Sequence, residues 1–105
     1  MENKKQYEEA LTYFQQIIEL DPGHAEAYFQ IGRIFRNINQ FEKAVTYYQN
    51  AINLKPDYSS AYYELGLSYL QLQKKKEALE AFKQAVRSKP DFASAHYGLG
   101  LAYMN

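Results

Sequence analysis

Regularly spaced prolines are the feature that most constrains the fold of this chain. Pro22, Pro56 and Pro90 lie 34 residues apart in each case. The residues between them repeat in register, so that Ala25–Tyr58 forms one unit and Ser59–Phe92 the next. A fixed period of about 20–50 residues is typical of stacked supersecondary units that bury their apolar faces on their neighbours. The spacing therefore predicts a repeat array.

The two units share aromatic, small and apolar residues at matching offsets. These pairs are Tyr28/Tyr62, Ile31/Leu65, Gly32/Gly66, Phe35/Tyr69, Ala44/Ala78, Tyr48/Phe82 and Ala51/Ala85. Residues 1–24 carry the back half of an earlier unit, and residues 93–105 carry the front half of a later one. We therefore predict one domain over residues 1–105, with complete units at 25–58 and 59–92 between two half units.

The apolar spacing inside each unit is that of helices rather than strands. Tyr28, Ile31 and Phe35 recur at steps of three and four residues, and a second stripe of this kind starts at Phe41. Each unit is therefore predicted to be two antiparallel helices joined by a short polar turn. The first helix of the pair is called the inner helix below and the second the outer helix.

The residues between helices suit chain reversal. In the turns Asn39-Gln40 and Gln73-Lys74, Asn tolerates the left-handed conformation that ends a helix without glycine. Each proline stops the outer helix, and Asp57 or Asp91 directly after it is predicted to accept hydrogen bonds from the next inner helix.

Glycine recurs in the middle of each inner helix, at Gly32, Gly66 and Gly100. Glycine costs about 1 kcal/mol relative to alanine at such a position. That cost is tolerated where a neighbouring helix must approach closely, and alanines recur at the facing offsets of the outer helices. Tight helix–helix packing is therefore predicted at all three glycines.

This pattern resembles the tetratricopeptide repeat, and the stretch from Tyr62 to Tyr69 is close to the ideal pattern of that family. The resemblance covers essentially the whole chain. It implies an all-α, right-handed solenoid of about six helices that binds a peptide or partner segment in its concave groove and has no catalytic activity. The RNA-reading pentatricopeptide repeat is the nearest rival, but its period of 35 does not fit the proline spacing.

Charge and composition restrict the partners. Twelve basic and twelve acidic residues give a formal net charge of zero, which argues against nucleic acid or an anionic membrane as the partner. The chain has no cysteine, so disulfides and thiolate metal sites are excluded. The first twenty residues lack the apolar stretch of a signal peptide. We therefore expect a soluble, cytoplasmic protein.

No catalytic, metal or cofactor site is predicted. His24 and His96 lie 72 residues apart without ligand spacing. We expect His24 to be solvated in its turn and His96, at the offset of Tyr28, to pack partly buried. The chain has no phosphate-binding glycine loop or nucleophile motif. The Lys74–Lys76 run is too short for a basic tract and is interpreted as a solvated corner.

In the family that this chain resembles, the inner helices line the concave side. A stripe at three matching offsets of these helices, called the inner stripe below, is therefore the predicted partner-binding surface. It comprises Phe29, Arg33, Arg36, Tyr63, Leu67, Leu70, Tyr97, Leu101 and Met104. In this family the aromatic residues at the offset of Phe29, Tyr63 and Tyr97 also pack partly between repeats. These three residues can therefore be interpreted either as ligand-binding or as packing residues. Exposed leucines in one strip favour a binding groove or a covered interface.

The composition of the inner stripe predicts an apolar ligand with an acidic residue near Arg33 and Arg36. Family members that grip the acidic tails of heat-shock chaperones clamp a terminal carboxylate with inward Lys, Arg and Asn side chains. Only Arg33 and Arg36 are basic at the inner offsets here, so that clamp is not predicted.

The two half units lead to two further hypotheses. The chain is either an excerpt of a longer array, or its last helix docks on the first helix of another copy. The second hypothesis predicts head-to-tail self-assembly into rings or filaments. The residues predicted to mediate it are Tyr7, Phe14, Leu99 and Tyr103.

Overall fold

The computed structural model describes residues 4–105, which form six α-helices and no strand. The helices are α1 Lys4–Leu20, α2 Ala25–Asn37, α3 Phe41–Leu54, α4 Ser59–Gln71, α5 Lys75–Ser88 and α6 Ala93–Met104. The predicted all-α solenoid is confirmed. The sequence pattern predicts a first helix from about Asn3 to Leu20, and Asn3 lies outside the described residues.

The helices form two layers. Each helix packs on the next one along the chain, most extensively within the hairpins α2–α3 and α4–α5. The inner helices α2, α4 and α6 also contact one another directly, whereas the outer helices α1, α3 and α5 touch only inner helices over the described residues. One face of the molecule is therefore built by inner helices alone. None of the helices within residues 4–105 has both the length and the apolar character needed to cross a membrane.

The two hairpin turns have the predicted left-handed residue. Asn39 has φ 64° and Gln73 has φ 59°. Each of these residues, and the residue after it, donates its backbone N–H to a carbonyl in the last turn of the preceding helix. The Gln40 N–H lies 2.8 Å from the Phe35 carbonyl oxygen, and the Lys74 N–H lies 2.9 Å from that of Tyr69. This is the Schellman arrangement, which satisfies carbonyls at the end of a helix.

The predicted aspartate caps are wrong. The N-cap residues of α4 and α6 are Tyr58 and Phe92, which make no side-chain cap hydrogen bond. Asp57 and Asp91 precede these N-caps by one residue, so each carboxylate begins one position too early for the usual bond to the second or third helical N–H.

Both histidine predictions are also wrong. His24 is half-buried at the N-cap of α2, where its Nδ1 accepts a hydrogen bond from the Ala27 N–H at 3.1 Å. His96 is exposed, with Nε2 2.8 Å from the Pro90 carbonyl oxygen. The equivalent Tyr28 is covered by Tyr47 of α3, at 6.3 Å between ring centroids, whereas His96 lies on α6, the last of the six described helices.

Two aromatic rings of the outer helices fill the centre of the core. Tyr48 and Phe82 are completely buried. A Cβ built on Gly32 would lie 2.7 Å from the Tyr48 ring, and one on Gly66 would lie 2.6 Å from the Phe82 ring. Close approach is therefore confirmed at these two glycines. It is wrong for Gly100, where a Cβ would meet nothing within 4 Å.

Candidate functional site

The aromatic offset of the inner stripe becomes more exposed along the chain. Phe29 is only 8% exposed, with its ring 5.7 Å from that of Tyr48 and 5.0 Å from that of Tyr58. Tyr63 is half-buried by the equivalent neighbours in the next unit. Tyr97 is 69% exposed. The structure therefore places Phe29 in the core, so that its ring offers little surface to a ligand.

The aliphatic part of the inner stripe lies on α4 and α6. Leu67 and Leu70 are half-buried because they pack against the core cluster around Phe82. Leu101 is half-buried, and Met104 is 82% exposed. Together with Tyr97, the last two give α6 the most accessible apolar part of the stripe.

The two arginines of the stripe lie in different environments. Arg36 is half-buried and its Nε lies 2.9 Å from Oε1 of Glu64 on α4. Arg33 is exposed, with its guanidinium 6.0 Å from the centre of the Phe29 ring. An acidic ligand group would thus meet Arg33 without competition from that carboxylate, whereas at Arg36 it would compete with Glu64.

The Arg36–Glu64 pair lies next to a buried hydroxyl. Burial, and then the charge of Glu64, raise the pKa of the Tyr48 hydroxyl, while Arg36 opposes this shift. Sequence reasoning missed Glu64 as the partner of Arg36 because the two residues belong to different units. Their opposite charges at inner offsets of adjacent units were the available signal.

Two cavities lie along the junction between α2 and α4. One of about 330 Å³ is lined by Arg36, Asn37, Asn39, Phe41, Leu67 and Gln71. The other, of about 400 Å³, is lined by Glu26, Phe29, Lys55, Tyr58 and Ser60. The first presents amide and guanidinium donors, which suit carbonyl or carboxylate oxygens. Sequence reasoning missed Asn37 and Gln71, although they occupy the same offset in successive units.

Charged groups also surround the second cavity. The Lys55 ammonium lies 4.7 Å from the centre of the Tyr58 ring. Burial and the neighbouring Glu26 raise the pKa of Tyr58, and Arg33 opposes this shift. The residues that line this cavity therefore include one cationic group, Lys55, and one anionic group, Glu26.

Family models match along the chain. A model described as TPR repeat matches residues 32–73 and 68–105. Two models described as tetratricopeptide repeat match residues 13–46 and 1–24. Comparison with curated proteins gives no significant match.

Solved structures of helical repeat proteins superpose closely. MamA has 34% sequence identity and a TM-score of 0.88, covering 93% of this chain and 57% of its own. YrrB, described as a TPR protein with an unusual peptide-binding site, has 28% identity and a TM-score of 0.80, covering 89% of this chain and 48% of its own. This chain therefore spans about half the length of these proteins.

A third similar structure contains a bound peptide. The first TPR of Spaghetti (RPAP3), bound to the HSP90 peptide SRMEEVD, has a TM-score of 0.90 at 21% identity, covering 96% of this chain and 80% of its own. At this identity, the likeness establishes a common fold.

Proposed function

Because this chain belongs to the tetratricopeptide repeat family, we propose that it is a non-catalytic protein-interaction module that holds a peptide segment against the face formed by α2, α4 and α6. The observation that carries this proposal is the polarity of the inner face. Exposed Arg33 and two cavities lie at the α2–α4 end, and exposed Tyr97 and Met104 lie on α6. Such a surface suits a ligand with both polar and apolar anchors.

The environments of the two arginines refine the expected ligand. Since Arg36 is paired with Glu64, Arg33 is the arginine of the stripe that best suits an acidic ligand residue. Apolar side chains of the peptide would cover Leu101 and Met104. A ligand that depends on one exposed ion pair binds with weak salt dependence, because such pairs contribute about 0–1 kcal/mol. The proposal therefore differs from recognition of a strongly acidic tail.

The test is binding of peptides selected on the chain itself. Short peptides are selected from a random display library, and their affinities for the parent protein and for variants are measured by fluorescence anisotropy. Leu101→Glu places a charge in the apolar part and is expected to weaken binding at least about tenfold, the effect of 1.4 kcal/mol. Arg33→Gln is expected to weaken binding of the acidic peptides severalfold and to remove their salt dependence.

Lys83→Gln on α5 provides the matched control, since Lys83 is exposed and lies outside the inner stripe. Its affinity is expected to equal that of the parent. Tyr63 and Leu67 are poorer test positions because both side chains pack on the core around Phe82. Selected peptides that bind equally well to the Leu101→Glu and Arg33→Gln variants would contradict binding at the inner face.

Self-assembly through the terminal helices is the second candidate function, and the exposed apolar surface of α6 favours it. Of the residues predicted to mediate it, Tyr103 is 60% exposed, and Phe14 and Tyr7 are half-buried. Leu99 packs partly buried against the cluster around Phe82 and contributes to the fold of the single chain. Sedimentation equilibrium over a concentration series tests this function, since a strictly monomeric chain at high concentration would exclude it.

A further inference from the structure

A fixed contact between glycine and an aromatic ring holds each complete hairpin together. Gly32 of α2 meets the ring of Tyr48 on α3, and Gly66 of α4 meets the ring of Phe82 on α5. Both rings have no exposed surface. The same two positions of the repeat, a glycine of the inner helix and an aromatic residue of the outer helix, therefore meet in both hairpins.

Helices α6 and α1 carry the two halves of the same contact, and within residues 4–105 these halves are not joined to each other. Gly100 of α6 occupies the offset of Gly32 and Gly66, and it is exposed with nothing within 4 Å of a Cβ. Phe14 of α1 occupies the offset of Tyr48 and Phe82, and it is half-buried rather than fully buried. One end of the chain thus carries an open glycine, and the other carries an aromatic ring at the matching offset.

The composition of α6 is unusual for a helix that borders solvent. Its sequence, ASAHYGLGLAYM, contains no Asp, Glu, Lys or Arg. Tyr97, Tyr103 and Met104 are nevertheless 69%, 60% and 82% exposed. Surface helices usually carry charged or polar residues on the side opposite their apolar stripe.

We propose that α6 of one copy packs against α1 of a second copy in the register that α2 adopts on α3, with the Phe14 ring seated on Gly100. The proposal rests on self-assembly, the second candidate function above, and names its contact. Because the two surfaces are different, the contact is heterologous and leaves a free α1 and a free α6 at the ends of every linear assembly.

The same register brings a second aromatic pair together. Phe35 of α2 stacks on Tyr47 of α3 with ring centroids 5.5 Å apart and planes 24° apart. The residues at these offsets in the terminal helices are Tyr103 and Tyr13, which are 60% and 69% exposed. The intermolecular hairpin would cover both rings.

One offset fits this register less well than the hairpins within the chain. Ile17 of α1 occupies the position of the fully buried Ala51 and Ala85. A larger side chain holds two helices further apart or forces rearrangement. The intermolecular contact is therefore weaker than the hairpins within the chain, and assembly depends on protein concentration.

Gly100→Ala separates this contact from the stability of the single chain. The added methyl group has free space in the monomer and favours the helix, but in the proposed contact it would meet the Phe14 ring as it would meet Phe82 at Gly66. The matched control is Gly23→Ala in the α1–α2 loop, where a Cβ would make only an ordinary contact at 3.8 Å. Sedimentation equilibrium and circular dichroism are measured for the parent and both variants of the full chain.

We expect the average mass of the parent to rise with concentration beyond twice the monomer mass of 12.3 kDa. The Gly23→Ala variant should do the same. Gly100→Ala should remain at 12.3 kDa with unchanged helix content. A parent that stays monomeric overturns both this contact and self-assembly as a function. If Gly100→Ala self-associates as strongly as the parent does, this contact alone is overturned.

A mixing experiment tests the head-to-tail geometry. Tyr13→Glu changes an exposed residue of α1 and leaves α6 intact, whereas Gly100→Ala leaves α1 intact. Each variant alone should be monomeric. An equimolar mixture should form a complex of two chains that grows no further, since only one productive contact is possible. A mixture that stays monomeric, or a self-associating Tyr13→Glu variant, overturns the proposal.

Discussion

Gly66→Ala tests whether the glycine–aromatic contact determines the packing of the hairpins. The added Cβ would lie 2.6 Å from Cε1, 2.7 Å from Cδ1 and 2.8 Å from Cζ of Phe82. Nonbonded carbon atoms are in optimal contact at about 3.5–4.0 Å. The ring, the helix or both must therefore move by about 1 Å to restore that separation.

The Phe82 ring has no free direction in which to move. It is fully buried, and a Cβ on Gly98 of α6 would lie 2.5 Å from the same ring. The ring is thus held between glycines of two successive inner helices. Overpacking of a well-filled core costs about 1–3 kcal/mol, and the higher helix propensity of alanine returns about 1 kcal/mol. We expect Gly66→Ala to lower the free energy of unfolding by up to about 2 kcal/mol, the net of these two effects.

Gly100→Ala is the matched control for this substitution, because it makes the same chemical change at the same offset of an inner helix. No atom lies within 4 Å of its Cβ position, so only the propensity term applies. We expect the free energy of unfolding to rise by about 0.5–1 kcal/mol, the lower value allowing for fraying near the end of α6. Because both variants gain helix propensity, they should differ by about the cost of overpacking, which is about 1–3 kcal/mol.

Urea unfolding followed by circular dichroism at 222 nm measures this difference, at a protein concentration where every variant is monomeric. The difference corresponds to a separation of roughly 4–24 °C in melting temperature for a domain of this size. Equal slopes of free energy against urea concentration are needed for the comparison. A Gly66→Ala variant as stable as Gly100→Ala would refute the packing argument.

Three further predictions concern buried polar groups and helix ends. Above pH 10 the free energy of unfolding should fall with pH, because Tyr48 ionises near its ordinary pKa in the unfolded chain while burial raises that pKa in the folded state. In urea titrations at several pH values, Tyr48→Phe should reduce the steepness of this fall by up to about 1.4 kcal/mol per pH unit. An unchanged steepness would count against a buried, protonated Tyr48. A double-mutant cycle with Arg36→Gln and Glu64→Gln should give a coupling energy of about 1 kcal/mol, discounted for the partial exposure of the pair, and a coupling near zero would mean that the contact contributes nothing. Gln73→Gly should raise the melting temperature more than Asn39→Gly, because Asn tolerates φ near +60° better than Gln; the reverse order would contradict this reasoning.

The helices could be predicted from the sequence because local signals and long-range packing agree in every unit. The three-and-four spacing of Tyr28, Ile31 and Phe35 predicts α2, and all three side chains face neighbouring helices. Asn39 ends that helix with the left-handed conformation expected of it. Such agreement at several levels is what makes a fold readable from sequence.

The sequence could not divide the inner stripe into core and surface. Phe29, Tyr63 and Tyr97 occupy one offset, but their exposure depends on the outer helix that follows each of them. Phe29 is covered by Tyr48 and Tyr58, whereas Tyr97 lies on the last of the described helices and is 69% exposed. Periodicity specifies which face of a helix a residue occupies and leaves open how much of that face a neighbour covers.

The histidines show the same limit at the level of hydrogen bonds. His24 was interpreted from its place in a turn, but the ring caps α2 because its Nδ1 lies 3.1 Å from the Ala27 N–H. Histidine is not among the preferred N-cap residues, so composition gave no signal for this role. The prediction for His96 rests on its offset alone, and that offset is half-buried at Tyr28 and Tyr62 but exposed at His96.

The two buried rings also show why similar units need not be interchangeable. Phe82 abuts Gly98 of the next inner helix. At the corresponding offset after Tyr48 the next inner helix carries Glu64, whose charge acts on the Tyr48 hydroxyl together with that of Arg36. The junction between α5 and α6 therefore pairs a glycine with an apolar ring. The junction between α3 and α4 brings together a hydroxyl, a carboxylate and a guanidinium. Exchanging Tyr48 with Phe82 alone would put a hydroxyl against Gly98 and leave the ion pair without its polar neighbour, so the order of the units is encoded at their junctions rather than in the shared signature.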